Sequence, residues 1–349
     1  MMDLYLSNSA FQPSRIIDNY ASLVWTDRYD SAGDFTLQVP WSLDLSQDLK
    51  QFKYLLHPRS NRIMMIETVE KPRTSSSKAG NLVKCTGRDL VAFLDFRNNK
   101  TFANQDSVVK TGSRGAIANA FVDENCISSA ISGQNLPGLI LASPPAGTSV
   151  TLTVPRGPIY SMVKEILQAD KLGFKMYRNT TAGQVVWQVY EGADYSGDSS
   201  PEDYREFSPE TETLSDVSSL ESIANYKNHI LAIGAKASTQ IYYDNSLLSG
   251  GWNRRSMVLD AQDIGPDTTT TTSEDQQALI LRMYEAKESN DNRYIQLVDG
   301  QIPDNLPVEL GDIVWVKDSY GMQTLVRITE MIYTSDATGS SRLPTFEAM

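Results

Sequence analysis

The chain has 349 residues, 40% hydrophobic and 21% charged, which suits a globular protein of about two domains and excludes a disordered tail. Its apolar runs, such as Ile230–Ile233 and Leu139–Ala142, fall short of the roughly 20 residues of a membrane helix, and the start Met1-Met2-Asp3-Leu4 lacks the basic and apolar regions of a signal peptide. With 31 Lys and Arg against 43 Asp and Glu, the net charge of −12 repels phosphates and speaks against stable binding of nucleic acid.

The first 100 residues read as strands. Arg15–Asp18 and Ser22–Thr26 lead into Gly33–Pro40, where Phe35, Leu37 and Val39 alternate with polar residues, as one buried face requires. Asn61–Glu67 and Asn81–Thr86 flank a polar tip at Ser75–Gly80 and predict a hairpin. Asp89 then caps a short helix with Leu90, Phe93 and Leu94 on one side.

From 101 to 200 the pattern is mixed α/β and predicts an inserted domain. Ser113 caps a helix carrying Ile117, Ala120 and Phe121. The strongest helical period follows Pro158, with Ile159, Met162, Val163, Ile166 and Leu167 on one face and Gly173 expected to close the end. Phe174–Tyr177 and Gln184–Tyr190 predict a hairpin. Residues 192–222 hold nine acids and one base and read as a solvated connector.

From 201 to 349 strands return at His229–Ala235, Gln240–Tyr243, Ser256–Leu259 and Tyr294–Val298. Between them, Ser273 and Gln276 form a capping box for a helix over 274–288 with Ile280, Met283 and Tyr284 as its stripe. Gly311–Lys317 turns through Asp318–Gly321 into Thr324–Tyr333, a closing hairpin. Both ends of the chain thus share alternating strands followed by a short helix.

Chemistry-bearing patterns are sparse. Cys85 and Cys126 have neither disulfide-framework nor zinc spacing, suit a reducing cytoplasm, and are expected to be small buried hydrophobes. His57 and His229 are the only histidines and read as incidental surface or rim residues. HExxH, GxSxG, GxGxxG and Walker-type patterns are absent. Among five tryptophans, Trp187 and Trp315 sit in strand patterns, whereas Trp252 lies in a loop context beside Gly250-Gly251 and Asn253-Arg254-Arg255. Trp252 is therefore the candidate platform for a glycan-binding adhesin, and a carboxylate pair among the 43 acids is the remaining route to a cell-wall glycosidase.

Several motifs keep a recognisable order. Ser22-Leu23-Val24-Trp25-Thr26-Asp27-Arg28-Tyr29 precedes Gly33-Asp34-Phe35-Thr36-Leu37; Ile63–Glu67 and Gly87-Arg88-Asp89-Leu90, with Leu94 and Arg97, follow. Gly311-Asp312-Ile313-Val314, Arg327–Glu330 and Pro344-Thr345-Phe346 close the series. This order resembles the tail-hub, or minor tail structural, proteins of long-tailed phages of Gram-positive hosts, related in fold to the central baseplate hub of contractile phages.

The resemblance implies a β-rich α+β fold with two similar β-barrel tube-type domains, at 1–100 and 201–349, around an inserted α/β domain at 101–200, the last segment also able to complete the first barrel. It implies a structural, non-enzymatic homotrimer whose six barrels form a pseudo-hexameric ring, matching a six-fold tail tube to a three-fold tip. Implied partners are the distal tail protein or tail-tube hexamer on one side, tail-tip or fibre proteins on the other, and a tape measure protein in the lumen. DNA would pass transiently through an acidic bore, without cofactor, metal or catalytic residue, at the distal end of a virion tail made in the host cytoplasm.

Overall fold

Strands dominate the first third of the chain. β1 (Leu4–Ser7), β2 (Pro13–Ile17), β3 (Ser22–Arg28), β4 (Asp34–Pro40), β5 (Tyr54–Leu56), β6 (Ile63–Glu70) and β7 (Leu82–Asp89) all join one sheet. Along β4 the buried residues are Phe35, Leu37 and Val39, so alternation in sequence becomes alternation in burial. The computed structural model describes residues 3–40, 48–71, 82–99, 107–131, 133–179, 183–198, 204–224, 226–234, 240–244, 251–261, 264, 277–283, 295–303 and 306–349. The hairpin tip at Ser75–Gly80 and the capping pair Ser273 and Gln276 lie outside them.

Asp89 ends β7 and caps a 3₁₀ helix at Leu90–Phe96, its carboxylate accepting from the Val91 N–H. There follow β8 (Ser107–Gly112), helix α1 (Arg114–Val122), β9 (Leu139–Leu141), β10 (Val150–Pro155), helix α2 (Ile159–Gln168), β11 (Gly173–Arg178) and β12 (Val185–Tyr190). Ser113 caps α1 by accepting from Ala116 N–H, and α2 buries the five apolar residues that its period selects. Gly173 does not close α2: the helix ends at Gln168, Lys171 turns the chain at φ 53°, and Gly173 opens β11. β11 pairs antiparallel with β12, which pairs parallel with β9. One apolar core includes Leu56, Ile63, Leu90 and Leu94 together with Phe121, Ile166, Phe174 and Trp187, so the chain on both sides of residue 100 packs as one unit.

The remaining strands are β13 (Glu206–Phe207), β14 (Ser215–Ser222), β15 (His229–Gly234), β16 (Gln240–Asp244), β17 (Ser256–Ala261), β18 (Ile295–Gln301), β19 (Ile313–Lys317), β20 (Gln323–Asp336) and β21 (Ser340–Ala348). β20 is long enough to pair with β19 at one end and with β3 at the other, where Tyr333 faces Trp25 across the ladder. The C-terminal hairpin therefore completes the N-terminal sheet, whose order is β13-β19-β20-β3-β4-β7-β6-β5-β1-β2 with β21 on β20.

The chain divides into two compact units, Met1–Val217 with Asp299–Glu347, and Ser218–Val298 with Ala348–Met349. The second unit holds a three-stranded sheet, β16-β15-β17, in which β15 is antiparallel to β16 and parallel to β17. A helix at 277–283 accompanies it, and Leu279 and Met283 form one core cluster with Ile230, Ala232 and Ala261. Leu279, not Ile280, shares the buried face with Met283, because residues four apart stack on one side of a helix.

The β-rich α+β character expected from the residues is present, and the sheets seen here are open ones. Among the described residues the eleven-stranded sheet runs from β13 to β2 without closing, and the second unit's sheet is open as well. Alternation reports one buried face, and an open sheet covered by helices satisfies it as fully as a barrel does. The segment 192–222 is likewise more than a solvated connector. Its β13 pairs with β19, Asp194 bridges to Ile313, and Phe207 and Leu214 are buried.

Candidate functional site

The motif residues converge on a buried polar junction in the first unit. Its centre is Arg62, 2% exposed, just before β6. Arg62 Nη1 donates to Asp89 Oδ2 at 3.0 Å and Nη2 to the Arg28 carbonyl at 2.7 Å. Asp89 thus serves two partners, because its Oδ1 accepts from Val91 N–H at 3.0 Å. Burial pushes the Asp89 carboxyl up to about 6, with the Arg62 guanidinium opposing the shift. Asp27 is also pushed up by burial and also opposed by Arg62, and its Oδ1 accepts from Trp25 Nε1 at 2.9 Å.

Two more arginines tie strands together. Arg28 pairs with Asp34 and donates from Nε to Glu330 at 2.6 Å, joining β3 and β4 to β20. Arg88 grips Glu67 with Nε and Nη2 at 3.1 and 2.9 Å and reaches Asp95 with Nη1 at 2.8 Å. Such forked guanidinium–carboxylate pairs fix orientation as well as supplying energy. A side chain at Gly87 would overlap the Met65 carbonyl, so the close β6–β7 approach excludes any Cβ there.

Tyr29 links the sheet to the α/β block. Its hydroxyl accepts from Arg327 Nη1 at 3.0 Å and lies 3.1 Å from the Lys171 carbonyl. Gly311, at φ +94°, packs its bare Cα against the ring, where a Cβ would collide with Tyr29. The next residue, Asp312, accepts from Ala193 N–H at 3.0 Å and from Glu309 N–H at 2.9 Å, which pins the 192–194 segment to the closing hairpin. Burial pushes the Asp312 carboxyl up. The junction therefore bolts together stretches of chain about 300 residues apart through directional contacts, and its groups position backbone.

The residues singled out in the sequence fall in different places. His57 and His229 are not surface residues but are buried at 3% and 5% exposure. His57 packs against the rings of Trp25 and Tyr333, with centroids at 5.3 and 5.0 Å, non-local contacts that no local pattern reveals. Burial lowers its pKa to about 3. His229 Nε2 lies 2.5 Å from Arg254 Nη2. Cys85 and Cys126 are free and buried, and burial pushes both thiols up to about 11. Trp252 stands fully exposed on the turn Gly251–Asn253 of the second unit. Trp187 is buried in the core and donates from Nε1 to Asn119 at 2.9 Å. Among the described residues, no cluster of His, Cys, Asp and Glu is placed to hold a metal ion, and no helix is long and apolar enough to cross a membrane. Arg62 and Lys175 carry no sequence signal, since each reads as an ordinary cation at a strand.

Comparison with known proteins gives this architecture a context. Residues 3–346 match the family model described as Siphovirus ReqiPepy6 Gp37-like protein. The fold is similar to the 43 kDa tail protein of prophage MuSo2 from Shewanella oneidensis, with TM-score 0.63 and 11% identity, over 99% of this chain and 97% of that one. It is similar to the tail protein from Neisseria meningitidis MC58, with TM-score 0.60 and 11% identity, over 99% and 96% of the two chains. The prophage tail protein gp18 from Listeria monocytogenes EGD-e gives TM-score 0.52 and 11% identity over 98% and 94%. No curated protein sequence matches. The chain belongs to the siphovirus Gp37-like family, and its fold is that of phage tail proteins.

Proposed function

We propose that this chain is a structural tail hub acting without an enzymatic step. Three copies form a ring at the distal end of the virion tail and join the six-fold tail tube or distal tail ring to the three-fold tip. Each chain contributes two tube-type modules, drawn from 1–100 and 201–349, with 101–200 as the block between them. Three chains thereby offer six comparable surfaces to one neighbour and three to the other. The observation that carries this reading is the family match over 3–346, on a chain whose fold follows phage tail proteins almost end to end.

Two physical features support the assembly. The sheet of the first unit ends at β2 and β13, and strand edges left open within one chain are natural places for another chain to pair. The net charge of −12 suits a bore through which DNA slides without sticking, since wall charge acts within the roughly 8–10 Å screening length of physiological salt. Light scattering on purified protein should give three times the 38.8 kDa chain mass, and a map of the intact tail tip should show threefold symmetry around a central hole. A monomer inside intact particles would overturn the proposal.

One observation favours a second reading. Trp252 is fully exposed, as a sugar-stacking platform on a tail-tip adhesin would be. Adsorption of the isolated protein to host cells, abolished by Trp252→Ala, would select that reading over the hub.

A further inference from the structure

A cavity of about 530 Å³ opens beside the buried junction of the first unit, and its lining runs against the charge of the chain. Arg59, Arg62, Lys175, Arg178 and Arg342 line it against the carboxylates of Asp27 and Glu309, although the chain as a whole carries −12. Two of these cations are committed internally. Arg62 serves Asp89 and the Arg28 carbonyl, and Arg342 donates to the Leu306 and Val308 carbonyls at 2.8 Å each. Lys175 is different. Its ammonium rests 4.4 Å from the centroid of the Tyr190 ring, with no carboxylate in ion-pair range among the described residues.

Two residues that line the same cavity carry deeply buried donors without partners. His57 Nδ1 accepts from Arg59 N–H at 3.3 Å, so the neutral ring carries its proton on Nε2. That Nε2, in a residue 3% exposed, has no hydrogen-bond partner. The imidazole also packs against the Trp25 and Tyr333 rings, with centroids 5.3 and 5.0 Å away. The Tyr190 hydroxyl, in a residue 9% exposed, has no partner either. Native proteins satisfy nearly all buried polar groups, so two orphaned donors and an ammonium around one cavity call for an acceptor from outside the chain.

We propose that this cavity binds a small molecule bearing an oxyanion, a carboxylate or phosphate, whose oxygens accept from His57 Nε2, the Tyr190 hydroxyl and the Lys175 ammonium. The volume lies within the roughly 300–1,000 Å³ of small-molecule sites and exceeds what a bare phosphate fills. The oxyanion is therefore one end of a larger ligand, and Tyr5, Leu56 and Tyr333 line the space for the rest. The Asp27 carboxyl is engaged within the chain, accepting from Trp25 Nε1 at 2.9 Å.

Isothermal titration of the full chain with citrate and with inorganic phosphate, at fixed ionic strength, tests this. Saturable binding of either probe, one per chain, is expected, weakened about tenfold or more by Tyr190→Phe and by Lys175→Met. Tyr190→Phe removes one oxygen that has no partner in the protein, so this variant keeps the parent fold, and near-UV circular dichroism confirms it for both. Lack of saturable binding of either probe by the parent overturns the proposal. Binding that both variants leave unchanged also overturns it and marks an adventitious ion only.

Discussion

In the first unit, Arg62, Asp89, Asp27 and Arg327 are all buried and hydrogen-bonded, Arg62 to Asp89 across 27 residues and Arg327 to Tyr29 across 298. Among the described residues of the second unit the apolar cluster is small, built from Ile230, Ala232, Ala261, Leu279 and Met283, and the buried polar residues Asn228 and His229 meet partners no more than 27 positions away, at Asn253, Arg254 and Arg255. The contrast teaches what each is built for. Directional contacts between buried charges select one geometry among many, at a desolvation cost that apolar packing does not carry. A unit that has to hold one shape, as the proposed ring would require, gains from that selectivity.

The largest way to break the comparison is to remove one partner of the buried pair. Arg62→Met should destabilise the first unit by about 3–5 kcal/mol, because Asp89, at 0% exposure, loses the guanidinium that pairs with it. The double change Arg62→Met with Asp89→Leu should recover part of that loss, the remainder reflecting the Val91 cap that Asp89 also supplies. Urea unfolding of the three variants measures both quantities. A single-variant loss under about 1 kcal/mol would mean the junction contributes no more than a surface ion pair.

A smaller effect comes from His57, and pH brings it out. Burial lowers its pKa from 6.5 to about 3, so the unfolded chain takes up a proton near 6.5 that the folded chain refuses. Its contribution is present above pH 6.5 and is lost as pH falls towards 3, about 2 kcal/mol being gone at pH 5. Asp89 works the opposite way, since its carboxyl is pushed up from 3.8 to about 6 by burial, and its contribution is lost as pH rises through that range. The difference between the parent and His57→Asn isolates the histidine. Unfolding free energies of the two proteins at pH 7.5 and 5 should therefore diverge with the parent losing more, and parallel pH profiles would place no titration at His57.

Much of this fold was legible in the residues, and the misses share a cause. β4 and α2 were readable because each carries its burial pattern within itself, at periods of two and of 3.6 residues. Asp89 and Ser113 were readable as caps, because capping is decided within three residues. The polar junction was visible only as motifs without a reason: Arg28 meets Glu330, and Tyr29 meets Arg327, across 302 and 298 residues. No local pattern encodes such distances, which is why His57 read as a rim histidine. Whether a sheet closes is equally non-local, since which edge strands pair is a property of the whole sheet.

The smallest expected effect sharpens the comparison from the other side. Trp252 stands fully exposed on a turn of the second unit, while Trp25 and Trp187 are wholly buried in the first. Trp252→Ala should change the stability of the free chain by no more than about 0.5 kcal/mol, because there is no buried contact to lose. Acrylamide should quench the Trp252 emission fully, and the variant should lose that quenchable component. The informative measurement is the same pair repeated on assembled tails. Protection of Trp252 there, with assembly weakened in the variant, would make this side chain an interface anchor of the hub. Unchanged exposure in the tail, together with lost adsorption to host cells, would make it the sugar platform instead.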